Sequence, residues 1–130
     1  MNVKQVIVIR KDLKMRRGKE IAQGSHASMA WMSHKIRAYL KSWCPWRRLK
    51  LTKEQLIWIE ESFAKVTVRV ESEEELLEIE RKAKEASLDV YLIIDSGRTE
   101  FRGVTTPTAL AIGPHEVSKI DAITGNLQLY

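Results

Sequence analysis

Residues 3–10 read VKQVIVIR, a mostly apolar run rich in β-branched residues, which fits a buried central strand better than a surface one. From Gly18 to about Trp43 no proline interrupts the chain. Ala22, Ser25, Met29, Met32, Ile36 and Leu40 recur there at helical spacing, so we expect a long amphipathic helix with that stripe as its core face. Pro45 lies just past its end. Thr52 and Gln55 form a capping box that opens a second helix through about Phe63, and Ser72 with Glu75 opens a third lined by Leu76, Ile79, Ala83 and Ala86. KVTVRV (65–70) alternates with period 2, and DVYLIID (89–95) supplies a third strand, so residues 65–95 read as a βαβ unit with parallel strands. A short strand over 108–114 and a helical turn around Glu116–Ala122 close the chain. The order predicts an α/β fold with a mixed four-stranded sheet covered by helices. Residues 1–130 read as a single domain, because the length suits one core and is too short for two.

Charge is distributed unevenly. Residues 1–53 hold 14 Lys/Arg against two acids, whereas residues 54–130 hold eight against 15. A cationic surface of that kind most often meets nucleic acid, since each phosphate contact releases condensed counterions. No apolar run is long enough to span a bilayer, no secretory leader opens the chain, and Cys44 is its lone cysteine. These features point to the cytoplasm and to no membrane partner.

The basic residues concentrate in RKDLKMRRGKEIAQGSHA (10–27), where a strand ends, a basic loop follows and Gly18-Lys19 opens the long helix. Cations and free helix N–H groups at one point would hold a phosphate or carboxylate. Lys19, Gln23, His26 and Ala30 share one narrow stripe of the helix, which Arg37 and Lys41 continue. Neither a P-loop nor a nucleophile elbow is formed by Gly18-Lys19 or Gly24-Ser25-His26. The second constellation is Asp95-Ser96-Gly97-Arg98-Thr99, at the carboxyl end of the third strand, where open α/β sheets bind ligands. Lys19 and Asp95 could face one cleft, the ammonium stabilising an oxyanion and the carboxylate orienting it or activating water. A plain structural ion pair is the competing reading. Thr99 and Thr108 could complete the polar lining. His26 reads as a satisfied histidine at the edge of the core, and no metal-ligand spacing occurs. In WCPWRR (43–48) two indoles stand beside two arginines; the combination suits nucleic acid, but we expect the rings to pack the first helix against the second.

Several of these stretches, in this order, resemble the archaeal and eukaryotic type of peptidyl-tRNA hydrolase: IVIRKDLKMRRGKEIAQGSHA, the acidic EEELLE helix, VYLIIDSGRT, LAIGP and IDAITGNLQL. The resemblance covers nearly the whole chain. It implies a three-layer α/β/α sandwich and hydrolysis of the ester joining a peptide to the terminal ribose of tRNA, with no cofactor and no metal. It also implies catalytic roles for Lys19, Asp95, Thr99 and Thr108, with Lys19 polarising the ester carbonyl and Asp95 positioning Lys19 or a water. Arg16, Arg17, Gly18, Gln23, His26 and Arg98 would then bind the acceptor end of tRNA. The chain departs from the family's pattern at Glu20, at Ser87-Leu88-Asp89 and in the Trp-rich stretch over 31–58. An RNA-binding or protein-interaction module of the same fold without the chemistry is the alternative reading. Monomer or homodimer stays open at this point.

Overall fold

The computed structural model describes residues 1–98 and 101–130. The elements run β1 (Val3–Arg10), α1 (Arg17–Lys41), α2 (Lys53–Ile57) continuing into a π-helical stretch over Trp58–Ser62, β2 (Lys65–Val70), α3 (Glu73–Glu85), β3 (Val90–Asp95), β4 (Thr106–Glu116) and α4 (Val117–Thr124). The sheet order is β2-β1-β4-β3, with β2 parallel to β1 and β4 antiparallel to both of its neighbours. The mixed four-stranded sheet is therefore as expected. β2 and β3 share a direction, as the βαβ reading requires, yet they lie at opposite edges with β1 and β4 between them.

β4 is longer than the short strand expected over 108–114, although it contains Pro107 and Pro114. A proline cannot donate to a ladder, so it survives in a central strand only where pairing is already broken. Both occupy such places. Pro107 lies opposite Ile94, where the register with β3 shifts, and Pro114 falls between Ile112 and His115, where the register with β1 shifts.

Successive β1 side chains point to opposite faces, and both faces are apolar. Val6 and Val8 pack with Leu76, Ile79 and Ala83 of α3 and Ile120 of α4, whereas Ile7 and Ile9 pack with Met15, Ala27, Ala109 and Ala111. Helices thus lie on both faces. The Thr52 capping box forms with both of its hydrogen bonds. At α3 only half of the expected box forms: Ser72 accepts from the Glu75 N–H, but Glu75 turns its carboxylate to the Glu71 N–H instead.

The core face of α1 is not the predicted one. Its buried residues are Gln23, Gly24, Ala27 and Trp31. The expected stripe faces outward except at Met32, which packs on the Trp31–Trp58 cluster, with Met29 60% and Leu40 67% exposed. At 100° per residue the two faces are about half a turn apart. The reason is close approach: Gly24 brings the helix so near β1 that a Cβ there would stand 3.7 Å from both Ile7 Cγ2 and Ile9 Cδ1. Bulky side chains would hold the helix off the sheet. Trp43 and Trp46 also defy expectation, at 91% and 84% exposed; the indoles that pack α1 against the π-helical stretch after α2 are Trp31 and Trp58, edge to face at 6.0 Å.

Candidate functional site

β1 and β3 both deliver their carboxyl ends to the edge of the sheet where β4 begins. After β1, Arg10 turns back into the protein. Its guanidinium forks onto Asp12, at 3.1 and 2.7 Å, and donates to the Pro107 carbonyl at 2.9 Å. Buried Met15 anchors the far side of this loop. The loop and the start of β4 are thereby tied together, and α1 begins at Arg17 with Lys19 in its first turn.

Lys19 Nζ lies 2.7 Å from Asp95 Oδ2, and the two side chains are only 15% and 11% exposed. The other carboxylate oxygen accepts from the Gly97 N–H at 2.7 Å. The Lys19 hydrogen bond, and after it the Gly97 amide, hold the Asp95 carboxyl below its ordinary value, so it is ionised at neutral pH. The Phe101 ring lies 5.8 Å from Nζ and covers the ammonium from the loop side. Gly97 has φ +82, and a Cβ there would meet the Val104 carbonyl oxygen at 2.3 Å, so only glycine fits.

Behind the pair runs a chain of hydrogen bonds. The buried Thr108 hydroxyl donates to Gln23 Oε1, and Gln23 Nε2 lies 3.4 Å from Asp95 Oδ2. Lys19, Gln23, Asp95 and Thr108 are thus brought together from α1, β3 and β4. Gln23 was expected to contact substrate. It is buried, and both of its side-chain partners, Thr108 and Asp95, lie within the protein.

The remaining expected residues that fall among the described ones are exposed. Arg16, Arg17, Gly18 and Arg98 are exposed, and each lies within three positions of Lys19 or Asp95 along the chain. His26 is exposed rather than at the edge of the core, and it lines a groove of about 360 Å³ with Ser33 and Arg37. Thr99 lies outside the described residues. Sequence reading passed over Arg10 and Phe101, and named Gly97 within its constellation without giving it a role. A charged residue closing an apolar strand, two positions before an aspartate, was the available signal for Arg10. Nothing local marks Phe101, whose proximity to Lys19 depends on how the loop folds. Among the described residues no three His, Cys, Asp or Glu side chains cluster as a metal site.

A buried-edge ammonium held by an ionised carboxylate can bind an oxyanion, and the cationic rim can hold a polyanion. The sequence model of the family described as "Peptidyl-tRNA hydrolase PTH2" matches residues 3–130. The chain is 43% identical over 129 residues to a peptidyl-tRNA hydrolase of Methanothermobacter thermautotrophicus, covering 98% of this chain and 99% of that one. It is 41% identical over 127 residues to its counterpart in Methanocaldococcus jannaschii, at 98% and 99% coverage. A probable peptidyl-tRNA hydrolase 2 of Dictyostelium discoideum is 37% identical, over 98% of this chain and 54% of that one. Among solved structures, a protein of unknown function from Agrobacterium tumefaciens shares the fold, with a TM-score of 0.60 at 12% identity, over 100% of this chain and 98% of that one.

Proposed function

The chain belongs to the peptidyl-tRNA hydrolase PTH2 family, and we propose that its hydrolysis of the peptidyl-tRNA ester runs through Lys19 and Asp95, with Gln23 and Thr108 holding that pair in place. The observation that carries this reading is the 2.7 Å contact between an ammonium and a carboxylate that are both largely withdrawn from water. Water adds to the ester carbonyl, the Lys19 ammonium meets the oxyanion that forms, and collapse expels the ribose oxygen, which takes one of the water's protons while the other passes to solvent, leaving the ribose hydroxyl and the peptide carboxylate. A preorganised donor in a partly desolvated site stabilises that oxyanion more than solvent does. Asp95, with its pKa lowered, is a poor base near neutrality, where an effective general base has a pKa close to the ambient pH. Its part is to aim the Lys19 ammonium. Thr99 joins as a supporting hydroxyl on the strength of the family resemblance alone.

Arg16, Arg17, Gly18 and Arg98 grip phosphates of the acceptor end in this reading, and their exposure beside the pair supports it. His26 extends the contact along the groove it shares with Arg37. We read residues 1–130 as one hydrolase domain, since a single sheet takes strands from both halves of the chain. The active form in this reading is a homodimer, supported by exposed Ile21 and Met29, which flank a groove of about 430 Å³ with Ile7, Ile9 and Tyr130. Light scattering of the wild type against Met29→Glu tests that point. Among the described residues no helix is long and apolar enough to cross a membrane, and we assign the enzyme to the cytoplasm with its substrate.

Removing one oxyanion-stabilising donor costs about 10²–10³ in kcat, so Lys19→Ala should lose that much on N-acyl-aminoacyl-tRNA while staying folded. A folded Lys19→Ala protein that cleaves at the wild-type rate sinks the assignment.

A further inference from the structure

Beyond α1 the chain leaves two indoles in water. Trp43 and Trp46 are 91% and 84% exposed, although the same protein buries Trp31 and Trp58 almost completely. They are held on a defined turn: the Arg47 N–H donates to the Cys44 carbonyl at 3.0 Å, with Pro45 at the position where a β-turn favours proline. Ser42 Oγ accepts from the Cys44 N–H at 3.3 Å, and Lys35 Nζ donates to the Lys50 carbonyl at 2.5 Å, which pins the end of the segment back to the helix. The Arg47 guanidinium lies over the Tyr39 ring, 4.8 Å from its centroid, a cation–π contact that ties the turn to the helix. Lys35, Tyr39, Trp46, Arg47, Arg48 and Lys50 border a groove of about 740 Å³.

The charge around this turn has one sign. Residues 21–53 contain seven Lys/Arg and no Asp or Glu. Exposed aromatic rings interleaved with cations, with no acid among them, suit a ligand that offers flat π-faces and closely spaced negative charges together. Single-stranded nucleic acid is that ligand, because bases stack on aromatic rings while phosphates pair with Lys and Arg. Lys41, at the end of α1, is about 33 Å along the helix axis from Lys19, at 1.5 Å per residue. The turn cannot touch the ester being cleaved.

We infer that the turn over Trp43–Arg48 is a second RNA-binding surface, which stacks an unpaired base of the tRNA on Trp43 and Trp46 and pairs the flanking phosphates with Arg47 and Arg48. The inference rests on tRNA being part of the substrate, and it sets affinity for the body of that tRNA rather than the chemistry at its end.

The test uses the full chain and three ligands: deacylated tRNA, peptidyl-tRNA, and an acylated oligonucleotide too short to reach from Lys19 to the turn. Titration with deacylated tRNA should quench the emission of the exposed indoles. Trp43→Ala/Trp46→Ala should weaken tRNA binding by about tenfold or more. The same variant should lower kcat/KM on peptidyl-tRNA by a similar factor, chiefly through KM, and the defect should vanish on the short substrate. Trp43→Tyr/Trp46→Tyr should recover most of the loss, since a phenol ring still stacks. Arg47→Gln/Arg48→Gln should lower the salt dependence of binding by about 1.5 in log–log slope. Unchanged tRNA affinity in the double Trp variant overturns the inference, as does an equal loss on the short substrate, which would mark a structural role. Binding of phosphatidylserine vesicles that tRNA does not displace would also overturn it, by assigning the turn to a membrane surface. A wild type that binds tRNA through the turn but cleaves no ester would count against the roles given to Lys19 and Asp95, and would support this surface.

Discussion

The Thr108 hydroxyl donates to Oε1 of Gln23, with both side chains buried. That bond fixes which way the Gln23 amide faces, and so turns its Nε2 toward Asp95. A hydroxyl inside a central strand thereby sets the direction of a donor aimed at the Lys19–Asp95 pair. Thr108→Val keeps the shape and removes the donor, leaving an unpaired buried carbonyl at a cost of about 1–3 kcal/mol. We expect a lower Tm and a lower kcat on peptidyl-tRNA, with Thr108→Ser recovering both. Full activity in the valine variant would remove Thr108 from the machinery.

Asp95 makes stability depend on acid in a predictable direction. Its folded pKa is lowered, first by the Lys19 hydrogen bond and next by the Gly97 amide. A group of that kind stabilises the fold above its unfolded value, about 3.9 for Asp, and loses the contribution as pH falls through the folded value. The difference in urea midpoint between wild type and Asp95→Asn should therefore hold steady near neutrality and narrow below about pH 4. A difference that stays constant down to about pH 2 would contradict the pairing.

Two glycines separate backbone strain from steric collision. Gly97 and Gly103 both have positive φ, at +82 and +77, but a Cβ on Gly97 would collide with Val104 backbone whereas one on Gly103 meets nothing within 4 Å. Gly103→Ala should cost about 1–2 kcal/mol, the ordinary penalty for a left-handed residue. Gly97→Ala should cost more and should also depress kcat, since the displaced loop takes the Gly97 N–H away from Asp95. Thermal melts of the two variants, with kcat measured alongside, compare them directly.

These contrasts bear on what the chain discloses before it folds. The strand of Val3–Arg10, the Thr52 cap and the pairing of Lys19 with Asp95 were all legible, because each depends on local pattern or on elements that end at the same edge of the sheet. The facing of α1 was not. Counting large apolar residues selects Met29 and Leu40, while the sheet accepts the helix through Gly24 and Ala27, whose small size carries no hydrophobic signal. The burial of Gln23 was hidden for a related reason: its partner Thr108 lies 85 positions away, so the tertiary fold decides it. Trp43 and Trp46 were assigned to the core because the usual burial of large rings was weighed above the arginines beside them.

The facing of α1 can be tested without reference to function. Ala27 is fully buried between the helix and the sheet, and Met29 stands 60% exposed two positions on. Ala27→Leu forces added volume into the contact with Ile7 and Ile9 and should destabilise by about 1–3 kcal/mol. Met29→Gln, measured dilute enough to keep the chain monomeric, exchanges one exposed side chain for another of similar length and should change stability by less than about 0.5 kcal/mol. Gly24→Ala should be neutral or stabilising by up to about 1 kcal/mol, since its Cβ would make ordinary 3.7 Å contacts and alanine favours the helix over glycine. Denaturant midpoints of the three variants decide the matter. The opposite ranking, with Met29→Gln costing more than Ala27→Leu, would return the methionine stripe to the core and refute the geometry that aims Gln23 at Asp95.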